Sequence, residues 1–305
     1  MDLAPVVLFV YNRLHHLQQT LEALKANKLA EDSELIIFSD GPKKDEPSLA
    51  VQQVRNYIRG VEGFKKVSII ERDTNLGLAK SIITGVTEVI EKHGKVIVLE
   101  DDMVSSRNFL EFMNRALIFY QDDKKIFSIS GYARPIKIPK DYPHQVYLGY
   151  RGSSWGWGTW LDRWKAIDWE VKDLAHFKKD RQAQELFNLG GDDLSDMLIN
   201  SLENKKDVWS IIHTYAQFKT GAFTLYPTVS KIENIGCDGS GVNCGVSMKW
   251  NVCLDQGETF TKLTKDLVVD EKINVRIRAL FARDLRTRMG GLLWCVLRKL
   301  SEAPP

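Results

Sequence analysis

Cysteine is scarce in this sequence. The 305 residues hold four, Cys237, Cys244, Cys253 and Cys295, with no CxxC pair among them. That excludes a disulfide-framed small domain, leaves no zinc pattern to read, and makes the four resemble the thiols of a reduced cytosolic protein. Long apolar runs are missing too: no window approaches the roughly 20 residues that a membrane-spanning helix needs. The amino terminus passes from Met1-Asp2 into strand-like Pro5 to Val10, without the basic start, apolar core and small-residue cleavage site of a secretion signal. A cytoplasmic protein, free or at the inner face of the membrane, is therefore expected. Internal repeats and low-complexity tracts are absent. The net charge is only +2, and no nucleic-acid partner is expected. That small balance hides an uneven spread. Residues 271–300 carry eight Lys/Arg against two acids, whereas residues 1–270 carry 34 basic and 37 acidic side chains. The carboxyl-terminal tail is a separate electrostatic region.

What is present is ordinary globular composition, 44% hydrophobic and 27% charged, in a chain long enough for one large α/β domain or two smaller ones. Its most informative stretch is Lys95 to Met103. Lys95 to Leu99 is an apolar, β-branched run that predicts a buried parallel strand, and it ends in Glu100, Asp101 and Asp102. Adjacent carboxylates repel one another unless a cation or a set of donors sits among them, and open α/β sheets bind ligands at the carboxyl ends of their strands. Mg2+ or Mn2+ is the natural partner, because it takes one or two protein carboxylates and completes its shell with water and phosphate oxygens. A strand that simply runs into a solvated acidic turn is the plain alternative.

Strands and helices alternate from Pro5 to Ser130, which predicts a doubly wound sheet whose loops converge on one edge. Strands are predicted at 5–10, 34–38, 66–71, 95–99 and 126–129. Helices are predicted after Asn12, which is read as an N-cap, at 49–58, after Gly77 and at 108–120. Asp40 closes the second strand within Ser39-Asp40-Gly41-Pro42, where it either caps the turn or binds a ligand. The run from Asn75 to Lys80 opens a helix whose amino terminus, with Gly77 beside it, can bring backbone N–H groups to an anion. Beyond residue 131 the character changes. Pro135, Pro139 and Pro143 break regular structure, and five of the eight tryptophans fall between Trp155 and Trp169. Trp155, Trp157 and Trp160, interleaved with glycines, are expected to line a cleft that stacks on sugar rings; a core wedge is the alternative for any one of them. Asp193 and Asp207 stand at predicted helix starts, Asp207 as the N-cap of a helix over 208–218. The Gly- and Asp-rich segment 234–243 has the composition of an active-site loop. His15 and His16 are expected on a helix surface and, like His213, are assigned no chemistry.

The segments VVLFVYNR, FSDG, NLGLAKSIITGV and VIVLEDD, in that order and spacing, resemble the nucleotide-sugar domain of inverting GT-A glycosyltransferases. The likeness is to bacterial family 2 enzymes and to the N-acetylglucosaminyltransferase I group, whose metal motif is also Glu-Asp-Asp. WGWGTW and YPTVSKIENIGCDGSGVN resemble the acceptor half of bacterial members, so the resemblance covers about residues 4–245. It implies a GT-A, Rossmann-like, mostly parallel sheet flanked by helices, with a nucleotide-sugar half over 1–131 and an acceptor-binding and catalytic half of the same GT-A domain over 132–260. A basic amphipathic helical tail follows over 261–305.

The resemblance further implies a hexosyl- or N-acetylhexosaminyltransferase that uses Mn2+ or Mg2+. It would move a sugar from a nucleotide-sugar donor, UDP-linked, with inversion to a hydroxyl of a glycan or lipid-linked acceptor in bacterial surface polysaccharide synthesis. Asp102 would ligate the metal, Asp101 would face the donor ribose or sugar, and Glu100 would stand at the substrate. Tyr11, Asn12, Arg13, Asp40, Asn75, Gly77 and Lys80 would hold the nucleotide. Asp207 matches the place of the catalytic base best, with Asp193 second. The tail, with Arg276, Arg278, Arg283, Arg286 and Arg288 among apolar residues, suits contact with an anionic membrane; a basic helix packed on the protein is the alternative. Two other classes compete. A sugar nucleotidyltransferase would carry a Gly-rich basic loop where this chain has Tyr11-Asn12-Arg13-Leu14-His15-His16, and a non-catalytic carbohydrate-binding protein would leave the acidic triplet unexplained.

Overall fold

The computed structural model describes residues 2–44, 48–241, 245–256 and 261–282. Strands β1 (Val6–Val10), β2 (Glu34–Ser39), β3 (Lys66–Glu71) and β4 (Lys95–Glu100) alternate with helices α1 (Leu14–Lys25), α2 (Leu49–Ile58) and α3 (Leu78–His93). A short β5 (Met103–Ser105) leads to α4 (Phe109–Phe119), β6 (Ile126–Ser130), β7 (Val146–Gly149) and β8 (Trp157–Trp160). Helices α5 (Leu161–Lys165), α6 (Leu174–Phe177), α7 (Arg181–Phe187), α8 (Leu194–Glu203) and α9 (Ser210–Lys219) follow, then β9 (Phe223–Pro227), β10 (Ile232–Asn234) and α10 (Glu271–Leu280).

Eight strands form one sheet in the order β3-β2-β1-β4-β8-β6-β9-β7. Strands β3 to β4 are mutually parallel, β8 runs antiparallel to both its neighbours, β9 is parallel to β6, and β7 closes the edge antiparallel. This is the mostly parallel α/β sheet that the alternation predicted. Successive residues of a strand point to opposite faces. Val6, Leu8 and Val10 of β1 accordingly join one core with α1, α2 and α4, while Val7 and Phe9 join a second core with α3, α8 and α9. Because helices cover both faces, β1 is buried at every position, and it reads in sequence as an unbroken apolar run. Parallel pairing brings the carboxyl ends of β1, β2, β3 and β4 to one edge, where the loops after Val10, Ser39, Glu71 and Glu100 meet.

The second half departs from expectation at Trp157. The segment Trp157–Trp160 is a strand set between β4 and β6, not part of a cleft loop. Trp157 and Trp160 lie three residues apart, so they enter opposite cores, and both are buried. Two helix starts also differ. Arg13, rather than Asn12, occupies the N-cap position of α1, its side chain drawn to the acids of the β4 loop instead of capping. Helix α9 begins at Ser210 after Trp209, because Asp207 is engaged elsewhere. Among the cysteines, Cys237 is disulfide-bonded and Cys253 is free and exposed, which corrects the expectation of four thiols; pairing follows spatial proximity, and spacing without a CxxC motif gave no sign of it. In the tail, α10 buries Ile273 and Ile277 against Tyr147 and Tyr226, and Lys272 and Arg278 pair with Asp141 and Asp192 at 2.6 and 2.9 Å. This part of the basic region therefore lies on the protein, and the remainder, from residue 283, is outside the described residues. Among the described residues no helix is long and apolar enough to cross a membrane.

Candidate active site

Register places the acidic triplet. Glu100 lies opposite Phe9 of β1, so Asp101 and Asp102 stand beside the loop that leaves β1. From that loop Arg13 donates through Nη2 to Asp101 Oδ1 and, at 2.7 Å, to Asp102 Oδ2. The Tyr11 backbone N–H also donates to the Asp101 carboxylate, and both acids are buried. Burial works against the Arg13 charge, but Asp101 and Asp102 outweigh it and raise its pKa. Glu100 forms no ion pair among the described residues. Burial, then the charges of Asp102 and Asp101, push it up to about 8; burial pushes Asp101 up to about 6 against the pull of Arg13. Arg13 is thus part of the compensation that three adjacent acids require, and it leaves the site with surplus negative charge.

The other wall comes from far along the chain. Strand β5 pairs antiparallel with β10, Met103 opposite Asn234, and carries the Gly- and Asp-rich segment back over the triplet. The Ile235 N–H donates to the Asp102 carbonyl at 3.0 Å, and Asn234 Nδ2 reaches Asp102 Oδ1 at 3.5 Å. A Cβ on Gly236 would stand 2.0 Å from Asp102 Oδ2, so a side chain there would displace the Asp102 carboxylate from its place beside Arg13. His16, expected on the surface, is buried and holds Asp238 of this segment at 3.0 Å.

This all-oxygen donor set suits a hard cation. Among the described residues no three metal-ligating side chains converge, so the triplet does not bracket a cation by itself. Asp102 offers one carboxylate, which is what Mg2+ or Mn2+ takes when water and substrate phosphates supply the rest of the shell.

Asp40, at the end of β2, accepts N–H bonds from Gly41 at 3.1 Å, Leu76 at 3.0 Å and Gly77 at 3.2 Å. Asn75 donates to the Gly41 carbonyl at 2.8 Å, so these two residues clamp the loop after β2 to the loop after β3. The amino terminus of α3 does meet an anion, but one from the chain itself: Asp207 accepts from Leu78 N at 2.7 Å and Ala79 N at 2.9 Å. An acid read as the cap of its own helix caps another, because unpaired amides at a helix start attract whichever carboxylate the fold delivers. Lys80 is exposed; Asn12 and Tyr11 are half-buried, with Lys43 Nζ 5.8 Å from the Tyr11 ring.

A cleft of about 180 Å³ opens between the loop before β8 and helices α8 and α9, lined in part by Arg134, Arg151, Trp155, Ser210, Thr214 and Trp250. Of the three tryptophans expected in a cleft, Trp155 reaches it, edge-on to Tyr132 at 4.6 Å and to Trp250 at 6.3 Å. Trp157 instead packs on Trp209 at 5.0 Å and His213 at 5.2 Å, and burial pushes His213 down to about 3, which keeps it neutral. Arg151, which lines the cleft, is bound to Asp193 outside it by hydrogen bonds of 2.7 and 3.0 Å. Gly156, next to the cleft residue Trp155, leaves no room for a side chain against Ile232 of β10, and Asn234 at the end of that strand reaches Asp102 through its side chain. Sequence reasoning missed Arg134, Arg151 and Trp250. Each is a single residue in a segment without periodicity, and only the neighbouring tryptophans hinted that aromatic company would gather there.

The family model described as Glycosyl transferase family 2 matches residues 6–178, more than half of the chain. Among solved structures the chain is similar to the mannosyltransferase PcManGT from Pyrobaculum calidifontis in complex with GDP-Man and Mn2+, at 14% identity and a TM-score of 0.36 over 71% of this chain and 72% of that one. It is also similar to S. aureus TarS 1-349 in complex with UDP, at 10% identity and a TM-score of 0.38 over 75% of this chain and 59% of that one. Of the S. aureus TarS chain in a further structure it spans 37%. No curated protein matches the chain.

Proposed function

The chain belongs to glycosyl transferase family 2 and is a glycosyltransferase of GT-A architecture, and from that premise we propose a metal-dependent inverting reaction. A nucleotide-sugar, UDP-linked, donates a hexosyl or N-acetylhexosaminyl group to a hydroxyl of a glycan or lipid-linked acceptor in surface polysaccharide synthesis. The observation that carries this reading is Asp101 and Asp102 buried at the carboxyl edge of β4, tied to Arg13 and closed over by Gly236. Affinity to the N-acetylglucosaminyltransferase I group belongs to the same proposal and rests on the Glu100-Asp101-Asp102 triplet.

Asp102 is assigned to the cation, Mn2+ or Mg2+, which when bound supplies charge neutralisation for a diphosphate leaving group. Arg13 shares the carboxylate oxygens of both acids, so it restrains them in the free protein and offers a second positive charge to the diphosphate. The loops clamped by Asp40 and Asn75 form the floor for the nucleoside, beside Tyr11. The acceptor occupies the cleft, where Trp155 and Trp250 line the wall and offer aromatic surface to a sugar. Asp207 is assigned as general base, removing the proton from the attacking hydroxyl. It bonds the start of α3 on the donor side, and Ser210, three residues on, lines the cleft, so it stands at the junction of the two halves.

Calorimetric titration of UDP, GDP and dTDP, with and without Mn2+, tests the donor site on wild type and Asp102→Asn. One nucleotide is expected to bind only with metal, and the variant is expected to lose that binding at least tenfold. Metal-independent binding of all three, or of none, would overturn the assignment of Asp102.

A further inference from the structure

We infer that the acceptor carries an oxyanion, a carboxylate or a phosphate, and that Arg134 receives it in the cleft beside Trp155; this rests on the cleft being the acceptor site of the transferase proposed above. Arg134 Nη2 donates to the Gly152 carbonyl at 2.8 Å and to the Tyr226 hydroxyl at 3.1 Å, both neutral acceptors. Its Nε is buried with no hydrogen-bond partner, and among the described residues no carboxylate pairs with it. Aromatic rings enclose the guanidinium, with Phe281 at 5.3 Å, Tyr226 at 5.4 Å and Tyr132 at 5.8 Å. The surroundings therefore half-bury the cation at the cleft wall without neutralising it, an arrangement that a negative partner arriving in the cleft would relieve.

Arg151 supplies the contrast within the same cleft. Two hydrogen bonds to Asp193 neutralise it, and Phe281 covers its face at 3.8 Å. Among the described residues the cleft is thus lined by two cations and no acid, and one of the two cations is paired with a carboxylate. Ser210 and Ile211, the first turn of α9, also face the cleft, and Trp209 before them provides no side-chain cap, so the positive end of that helix adds to the field. A planar guanidinium with unused donors matches the two oxygens of a carboxylate or phosphate, and the indoles of Trp155 and Trp250 take the attached ring. A uronic-acid sugar and a phosphorylated sugar meet these demands equally; a neutral glycan meets only the last.

The test uses the full chain and three probes: methyl β-glucuronide, glucose 6-phosphate and neutral methyl β-glucoside, titrated by ligand-observed NMR. At least one acidic probe is expected to bind tenfold or more tighter than the neutral one, and whichever binds identifies carboxylate, phosphate or both as the recognised group. Arg134→Met is expected to abolish the preference and Arg134→Lys to keep part of it. In the wild type alone, raising NaCl from 50 to 500 mM is expected to weaken only the acidic probes, so the inference stays testable if a variant misfolds. Equal or absent binding of all three probes, or an undiminished preference in Arg134→Met, overturns it. The same samples are titrated with nucleotide and Mn2+. Nucleotide binding without an acidic preference removes only this inference, whereas an acidic preference without nucleotide binding removes the donor site proposed at Asp102 and leaves the anion site.

Discussion

Two of the three adjacent acids share one guanidinium, and Glu100 is the one left over. Its folded pKa, raised by burial and by its neighbours to about 8, lies above its ordinary 4.5, so between those values the folded chain holds a proton that the unfolded chain has released. Folding stability in the metal-free protein therefore falls as pH rises through that window, and Asp101 adds the same sign between 3.8 and about 6. His213 acts oppositely. Its neutral form is buried, so its contribution is lost as pH falls from 6.5 towards about 3. Glu100→Gln has no proton to lose at this site and leaves the other groups in place. Metal-free melting curves at pH 5 and pH 8 are expected to show a smaller difference between the two pH values in Glu100→Gln than in wild type, with the variant the more stable at pH 8. An unchanged difference would show that Glu100 is solvated rather than crowded.

Among elements, the start of α3 is where the two halves of the site are fastened. Asp40 binds the loop before it, and Asp207, arriving from the approach to α9, binds its first amides. Asp207 consequently has a structural duty beside the catalytic one assigned to it, and the two separate by measurement. Loss of a helix cap costs about 1 kcal/mol, seen as a few degrees in melting temperature. Loss of a general base lowers kcat by roughly 10²–10⁴-fold. Asp207→Asn is expected to show both, with nucleotide affinity retained, while Asp193→Asn is expected to keep kcat within about tenfold of wild type. If Asp207→Asn melts earlier yet turns over normally, the carboxylate is a cap alone. Sequence could not have shown this bond, because a cap within one helix has a spacing and a cap between helices 129 positions apart has none.

The whole molecule explains why its first half was more legible than its second. Strands β1 and β4 are buried on both faces, β2 is largely buried and β3 is the half-buried edge strand, and amphipathic helices join them, so their order and edge follow from local apolar runs and helical spacing, and the acidic triplet falls at that edge as the pattern requires. Strand β8 has no such signature. Four residues rich in tryptophan and glycine become a central strand only because β4 and β6 each present an open edge to it, a fact of tertiary structure alone. That insertion also bears on the division at residue 131 read from the sequence. A fragment of residues 1–131 would contain β4 and β6 but lack the strand that lies between them, and it would lack β9 on the far side of β6. Both β4 and the whole of β6 would then expose apolar faces and unpaired backbone. Strands of both halves interleave in one sheet, and we infer that the halves fold as one unit, as expected from the sequence. Expressed alone, residues 1–131 are expected to aggregate or to bind the dye ANS without a near-UV circular dichroism signal, whereas the full chain melts cooperatively. A fragment with native-like near-UV signal and a sharp melt would instead make the first half an autonomous nucleotide-binding domain, with β8 as a later addition to its edge.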